Sequence, residues 1–276
     1  MHGKITQSGF SLVELSIVLV ILGLLTGGIL GGQSLIRAAE LRSVATDVSK
    51  YRSASYAFRD KYFELPGDFT RATSFWGNAT TGTSGGECTA PESDAGTGTQ
   101  TCNGDGNGLI GNASTVGQRN SESFRFWQHL ANAGLIEGQY SGVASDTPAG
   151  GSGWRVAVPA ANVPRLRFGN AGITLASHAA SSNGSGPNSW VGGDSAVAKN
   201  YAYFGAPTTG DLTWTTIFVP EELWNIDTKM DDGKPGLGIV RSHAATTCVT
   251  STDAMTASYA LDTRTVICTG LMDFGI

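Results

Sequence analysis

Apolar and polar positions are distributed very unevenly along this chain. From Phe10 to Ile36 there is no Pro, no Lys and no Arg, and one ionisable side chain, Glu14. A bilayer core takes ~20 apolar residues, so the run is long enough to cross one. From Arg37 onward the pattern changes. Arg37, Glu40, Arg42, Asp47, Lys50, Arg52 and Arg59 mix with Leu41, Val44, Val48, Tyr51, Ala54 and Phe58. These apolar residues recur at three- and four-residue spacing, which predicts an amphipathic helix with one face on a sheet. One helix is therefore expected from about Phe10 to about Tyr62, roughly 80 Å at ~1.5 Å per residue. Gly23, Gly27, Gly28, Gly31 and Gly32 lie at the join between its halves. Each costs a helix interior ~1 kcal/mol relative to Ala. Close helix packing is the favoured reason for them, with local melting a second role. Leu65-Pro66-Gly67-Asp68 ends the helix, because Pro cannot continue it and Gly supplies a turn.

Beyond that point the periodicity is shorter. Ser121 to Leu135 reads as a second helix, capped by Asn120 or Ser121, with Phe124, Trp127, Leu130 and Ala131 as its stripe and Gly134 as its stop. Strands are expected at Trp154–Val158, Val163–Phe168, Gly172–Ala176, Tyr201–Phe204, Leu212–Val219, Leu237–Arg241 and Thr265–Thr269. Pro220-Glu221-Glu222-Leu223 reads as a helix start with Pro in its first turn. Asn78 to Thr101 is a Gly/Ser/Thr-rich surface loop. No fixed-period repeat and no linker divides the part after the helix. The fold class is α+β: a long N-terminal helix, transmembrane in its first half and amphipathic in its second, packed on an antiparallel β-sheet with large loops.

Composition sharpens this picture in two ways. The net charge of −5, with no Lys/Arg cluster, argues against nucleic acid as a partner. The even number of cysteines, 4, fits an oxidising compartment. They form two sequence-local pairs, Cys88 with Cys102 and Cys248 with Cys268. Three pairings are possible, and the local one is the expectation.

The start of the apolar run carries the most specific chemistry. A secretory apolar core is shorter, ~7–15 residues, and ends in a small-residue cleavage site. Here the small residue, Gly9, precedes the run. Cleavage after it would remove only Met1 to Gly9 and place the amine of Phe10 one helical turn from the Glu14 carboxylate. A carboxylate in an apolar setting is costly and calls for a named partner. A cationic N-terminus, its own or a neighbouring copy's, is the natural one.

Gly9, Phe10 and Glu14, in the order G-F-S-L-V-E-L, resemble the prepilin cleavage and methylation motif of type IV pilins and of the pseudopilins of type II secretion. The resemblance implies cleavage after Gly9 and N-methylation of Phe10 by a membrane prepilin peptidase. It implies that Glu14 neutralises the N-terminus of the adjacent subunit in a helical filament. It divides the chain into a leader peptide, 1–9, a transmembrane and filament-core helix, 10–36, and an extracytoplasmic pilin-like α+β domain, 37–276. The implied partners are copies of itself or related pilins, the peptidase, an inner-membrane assembly platform and membrane lipid. The implied location is the bacterial inner membrane, then a periplasmic or extracellular filament. The family often has a Pro near the glycine-rich join, and this chain has none there. A bridge between Cys248 and Cys268 also resembles the disulfide-bounded region of many type IV pilins.

Two acidic stretches are candidate calcium sites. Asn103-Gly104-Asp105-Gly106-Asn107-Gly108 places oxygen-bearing side chains at every second position, as a calcium loop begins. The position where an EF-hand has its bidentate Glu is Ser114, so Glu87, Glu92, Asp94 or Glu122 would have to complete the set. Asp227, Asp231 and Asp232 put three carboxylates in six residues, and Lys229 and Lys234 could neutralise them instead. That stretch resembles the loop in which major pseudopilins bind calcium.

Enzyme motifs are weak. Gly82 to Gly86 matches G-x-S-x-G without a strand-to-helix turn, and Gly106 to Gly111 matches G-x-G-x-x-G without a preceding strand. His2, His129, His178 and His243 have no metal-ligand spacing, and no nucleophile–base pair stands out. The reading is a structural subunit, not an enzyme. The competing class is a membrane-anchored extracytoplasmic calcium-dependent binding protein or adhesin, which would need neither cleavage at Gly9 nor a polymer.

Overall fold

A computed structural model describes residues 9, 11–79, 95–111, 122–144, 156–178, 199–208, 212–243 and 247–276. The chain divides into two units, Met1–Arg42 and Ser43–Ile276. The long helix α1, Leu12–Tyr62, begins in the first unit and ends in the second. In the first unit it runs unbroken through the five glycines. A side chain added at any of them would meet nothing within 4 Å. Every large apolar side chain from Leu12 to Ile36 is exposed.

The second unit has a core of its own. On α1 the inward stripe is Val44, Val48, Ala54, Phe58 and Tyr62, all buried, as the three- and four-residue spacing predicts. Ser55 is also buried on this face and returns its hydroxyl to the Tyr51 carbonyl at 2.9 Å. The stripe meets α3, Glu122–Asn132, through a Tyr51–Trp127 ring contact at 5.2 Å and Phe58 stacked on His129 at 6.4 Å. Arg52 and Tyr56 reach the other side, donating to the Phe274 carbonyl at 3.2 and 3.1 Å. The helix stops at Tyr62. Phe63 then takes φ 63°, a left-handed conformation that favours glycine, and its ring is 87% exposed. A short α2, Ala72–Trp76, follows; it is too brief to give a periodic signal in the sequence.

Four strands form one antiparallel sheet: β1 Gly172–His178, β2 Lys199–Gly205, β3 Val240–Ser242 and β4 Gly270–Asp273. Their order is β1-β2-β4-β3. β1 and β2 pair along their full length, Gly172 opposite Gly205 and His178 opposite Lys199. The strands expected at Gly172–Ala176, Tyr201–Phe204 and Leu237–Arg241 correspond to β1, β2 and β3. Thr265–Thr269 lies just before β4 and is a correction. Cys268 is used for an isolated bridge to Phe218, and the ladder begins only at Gly270. Val163–Phe168 and Leu212–Val219 also make isolated bridges rather than strands, and the first two residues of Trp154–Val158 lie outside the described residues. The helix α4, Pro220–Met230, starts with Pro as expected.

Cys248 and Cys268 are bonded, closing a 20-residue separation. Cys102 is also disulfide-bonded; its expected partner, Cys88, lies outside the described residues. The 248–268 bridge ties the turn region before β4 to the bridge with Phe218, and both its cysteines are fully buried. Replacing both by Ala should destabilise the second unit by ~3 kcal/mol, read as a lower denaturant midpoint. An unchanged midpoint would show that the loop is held by packing alone.

Candidate functional site

Two groups of carboxylates come together in the second unit, each with ligand atoms within 4.8 Å of one another. The first is Asp68, Asp105 and Glu122. Asp68 follows Gly67, whose φ of 84° and close approach to the Glu122 carbonyl leave no room for a Cβ. That turn aims the buried Asp68 carboxylate at the glycine-rich loop. Its Oδ1 accepts the Gly106 amide at 2.6 Å and the Asn107 amide at 3.1 Å, and its Oδ2 accepts the Gly108 amide at 2.7 Å. Glu122, in the first turn of α3, accepts the Asp105 amide at 3.2 Å and the Gly111 amide at 2.8 Å.

The predicted loop residues divide. Asp105 joins the group. Asn103 turns away and accepts the Thr73 amide at 2.9 Å. Asn107 holds the loop's own shape, accepting from the Leu109 amide at 2.7 Å and donating to Asp105 at 2.8 Å. Of the four acids named to complete the set, Glu122 does so, while Glu87, Glu92 and Asp94 lie outside the described residues. Asp68 was legible only as part of a helix stop. A carboxylate following a Pro-Gly turn was the available signal.

The second group is Asp227, Asp231 and Asp232, together as expected. Asp227 is buried in the last turns of α4, accepting the Tyr259 hydroxyl at 2.8 Å and the Gly233 amide at 3.1 Å. Asp231 caps the helix C-terminus and accepts the amides of Ile239 and, at 3.2 Å, Val240. Gly238, at φ 70°, lies so close to the Asp231 carboxylate that a Cβ would collide with it. Asp232 accepts the Lys234 amide at 2.9 Å. Among the described residues, neither Lys229 nor Lys234 forms an ion pair with these carboxylates. The C-terminal end of a helix carries partial negative charge, so three acids there repel both it and one another.

Both groups have oxygen donors suited to a hard cation. A calcium ion takes oxygens at 2.3–2.6 Å, so two ligands of one ion lie up to about 5 Å apart. The observed spacing satisfies that limit. Burial pushes Asp68 up to about 6, against the Gly108 and Gly106 amides. Burial pushes Glu122 up to about 8, reinforced by the charge of Asp68. Burial pushes Asp227 up to about 7, against the Tyr259 hydroxyl and the Gly233 amide.

Among the described residues no histidine joins such a group. His129 is fully buried: its Nδ1 accepts the Gly67 amide at 2.9 Å, so a neutral ring donates from Nε2 to Thr101 Oγ1 at 2.8 Å. Burial, with the charge of Arg125, pulls it down to about 3. It holds the turn before Asp68 in place. His243 stacks on Trp214 with ring planes 2° apart. His2 and the G-x-S-x-G stretch lie outside the described residues.

At the other end of the chain, α1 contains the one helix window among the described residues long and apolar enough to cross a membrane, at a mean hydropathy of 2.4 and with none of it buried. Glu14 lies in its first turn. Gly9 is exposed, and Phe10 lies outside the described residues. Residues 5–30 match the family model described as the prokaryotic N-terminal methylation motif. The chain carries a type IV pilin or pseudopilin signal. That motif marks structural subunits processed by prepilin peptidase and assembled into filaments. No curated protein and no solved structure matches the chain. The signal thus covers the start of α1, and the second unit stands on its own geometry.

The buried acids give a signed pH dependence. A carboxyl whose folded value is raised takes up protons on folding, so its contribution is present below its unfolded value and lost as pH rises through the folded one. His129 runs the other way: its contribution is complete above about 6.5 and lost as pH falls toward about 3. Between about pH 6.5 and 8 only the carboxyls act. Without added metal, the melting temperature of the second unit should fall across that window, and Glu122→Gln should flatten the slope. A melting temperature that is level from pH 6.5 to 8 would contradict the burial of these acids.

Proposed function

We propose that this chain is a structural subunit, pilin or pseudopilin, of a type IV pilus or type II secretion-type filament. It is cleaved after Gly9 by prepilin peptidase and N-methylated at Phe10. The supporting observation is the methylation motif at residues 5–30 running directly into an α1 segment whose apolar side chains all lack cover. Such a surface must be covered, first by lipid and then by sister helices. Glu14 sets the register of assembly, because its charge is satisfied best against the N-terminal amine of the adjacent copy.

The mass of the mature N-terminus tests the processing step: a chain starting at methylated Phe10 is expected, and an intact Met1 would refute it. Glu14→Ala should leave the chain in the membrane and cut filament yield at least tenfold, scored by shearing and electron microscopy.

The carboxylate groups are proposed as calcium sites. Asp227, Asp231 and Asp232 hold one ion; Asp68, Asp105 and Glu122 hold the other, with Asn103 and Asn107 shaping the loop around it. What favours a cation over a bare turn is the second group's place at a helix C-terminus where, among the described residues, it has no Lys or Arg partner. At pH 8, calcium at ~100-fold excess over its Kd should raise the melting temperature by ~5 °C or more, and at pH 5 by much less. Asp227→Asn with Asp231→Asn should remove the larger part of that rise. No shift at pH 8 would remove calcium from both groups.

A further inference from the structure

The first turn of any helix leaves four backbone N–H groups without a carbonyl one turn back. Water satisfies them at little cost. In hydrocarbon each unsatisfied N–H costs several kcal/mol. A helix that begins inside a bilayer, as this one does on the function proposed above, must therefore cap itself.

The start of α1 satisfies two of the four in this way, with two side chains three residues apart. The Ser11 amide donates to Glu14 Oε2 at 2.9 Å. The Val13 amide donates to Ser11 Oγ at 3.3 Å. The first intrahelical bond follows, from the Leu15 amide to the Ser11 carbonyl at 3.2 Å. This is the reciprocal arrangement that Ser-x-x-Glu favours at a helix N-terminus. Among the described residues, Glu14 Oε1 has no partner.

We propose that Ser11 is the positioning residue for Glu14. The pair forms a self-contained cap in the single chain. Oε2 is engaged with the chain's own amide, and Oε1 of the exposed side chain is the atom that takes an ammonium group of a second copy. The acid is thus partly satisfied before any neighbour arrives. Assembly adds a second partner to a carboxylate already held in one orientation. The two roles separate by substitution. Gln at position 14 can still cap but carries no charge. Ala at position 11 keeps the charge but releases it. Thr at position 11 caps as Ser does.

The test has two arms: Val13 amide exchange on the full chain in detergent micelles, labelled at valine, and filament yield from cells that carry the prepilin peptidase and a filament assembly machinery, scored by shearing and electron microscopy. Ser11→Ala should speed Val13 exchange about fivefold, the usual worth of a cap, and lower filament yield several-fold. Ser11→Thr should match the wild type on both readouts. Glu14→Gln should keep Val13 exchange within about twofold of wild type while filaments are lost. Unchanged Val13 exchange in Ser11→Ala would show that there is no cap. Faster exchange with full filament yield would show that the cap does not position Glu14. Should the wild type itself form no filaments, the filament reading fails, and the exchange series still decides the cap.

Discussion

An apolar helix segment whose large side chains are all exposed among the described residues governs the rest of this protein. Between Leu12 and Ile36 fifteen large side chains, Leu12 through Ile36, would in an ordinary domain form the core; here each is half exposed or more. None of the described residues of the first unit covers them, so the environment must. That demand explains why the segment is free of Lys, Arg and Pro, and why its hydroxyls turn inward. Thr26 bonds the Leu22 carbonyl at 2.9 Å, and Ser34 bonds the Gly31 carbonyl at 2.9 Å. Polar atoms that cannot reach water are paired within the helix.

The second unit must then be stable by its own means. Its core is aromatic and close to α3, where Phe124, Phe126, Trp127, His129 and Leu130 are all fully buried. The amphipathic stripe of α1 supplies one wall, and a short mixed-length sheet supplies another. The acids at Asp68, Glu122 and Asp227 are embedded in this framework, which is why they hold protons at pH values where exposed carboxyls do not.

The long periodic features were legible in the sequence. The extent of α1, its change of character near Arg37, the helix at Pro220 and the strands β1 and β2 all follow from spacing and breaker residues. The failures have physical causes. Phe218 takes Cys268 into a bridge, so a β-rich stretch at Thr265–Thr269 pairs once and the ladder starts later. Two other strand candidates likewise spend their edges on single bridges. At the candidate sites, contiguity decided what could be seen. Asp227, Asp231 and Asp232 are close in sequence and stay together. Asp68 reaches Asp105 across a turn, and no local pattern announces that meeting. Asn103 has the right atoms at the right spacing, yet the Thr73 amide claims its oxygen. The Ser11–Glu14 cap is written in the sequence as Ser-x-x-Glu, a pattern whose local role is masked by the demand an acid in an apolar run makes for a distant partner.

Tyr259 lies inside the segment that Cys248 and Cys268 enclose, and its hydroxyl is the side-chain partner of Asp227. The staple therefore does more than shorten a loop. Where thiols stay reduced, the tyrosine is delivered to the acid without its tether. Closing the 248–268 bond and seating the tyrosine against the acid are thus coupled, so a redox change at two sulfurs reaches the carboxylate pocket through one hydroxyl.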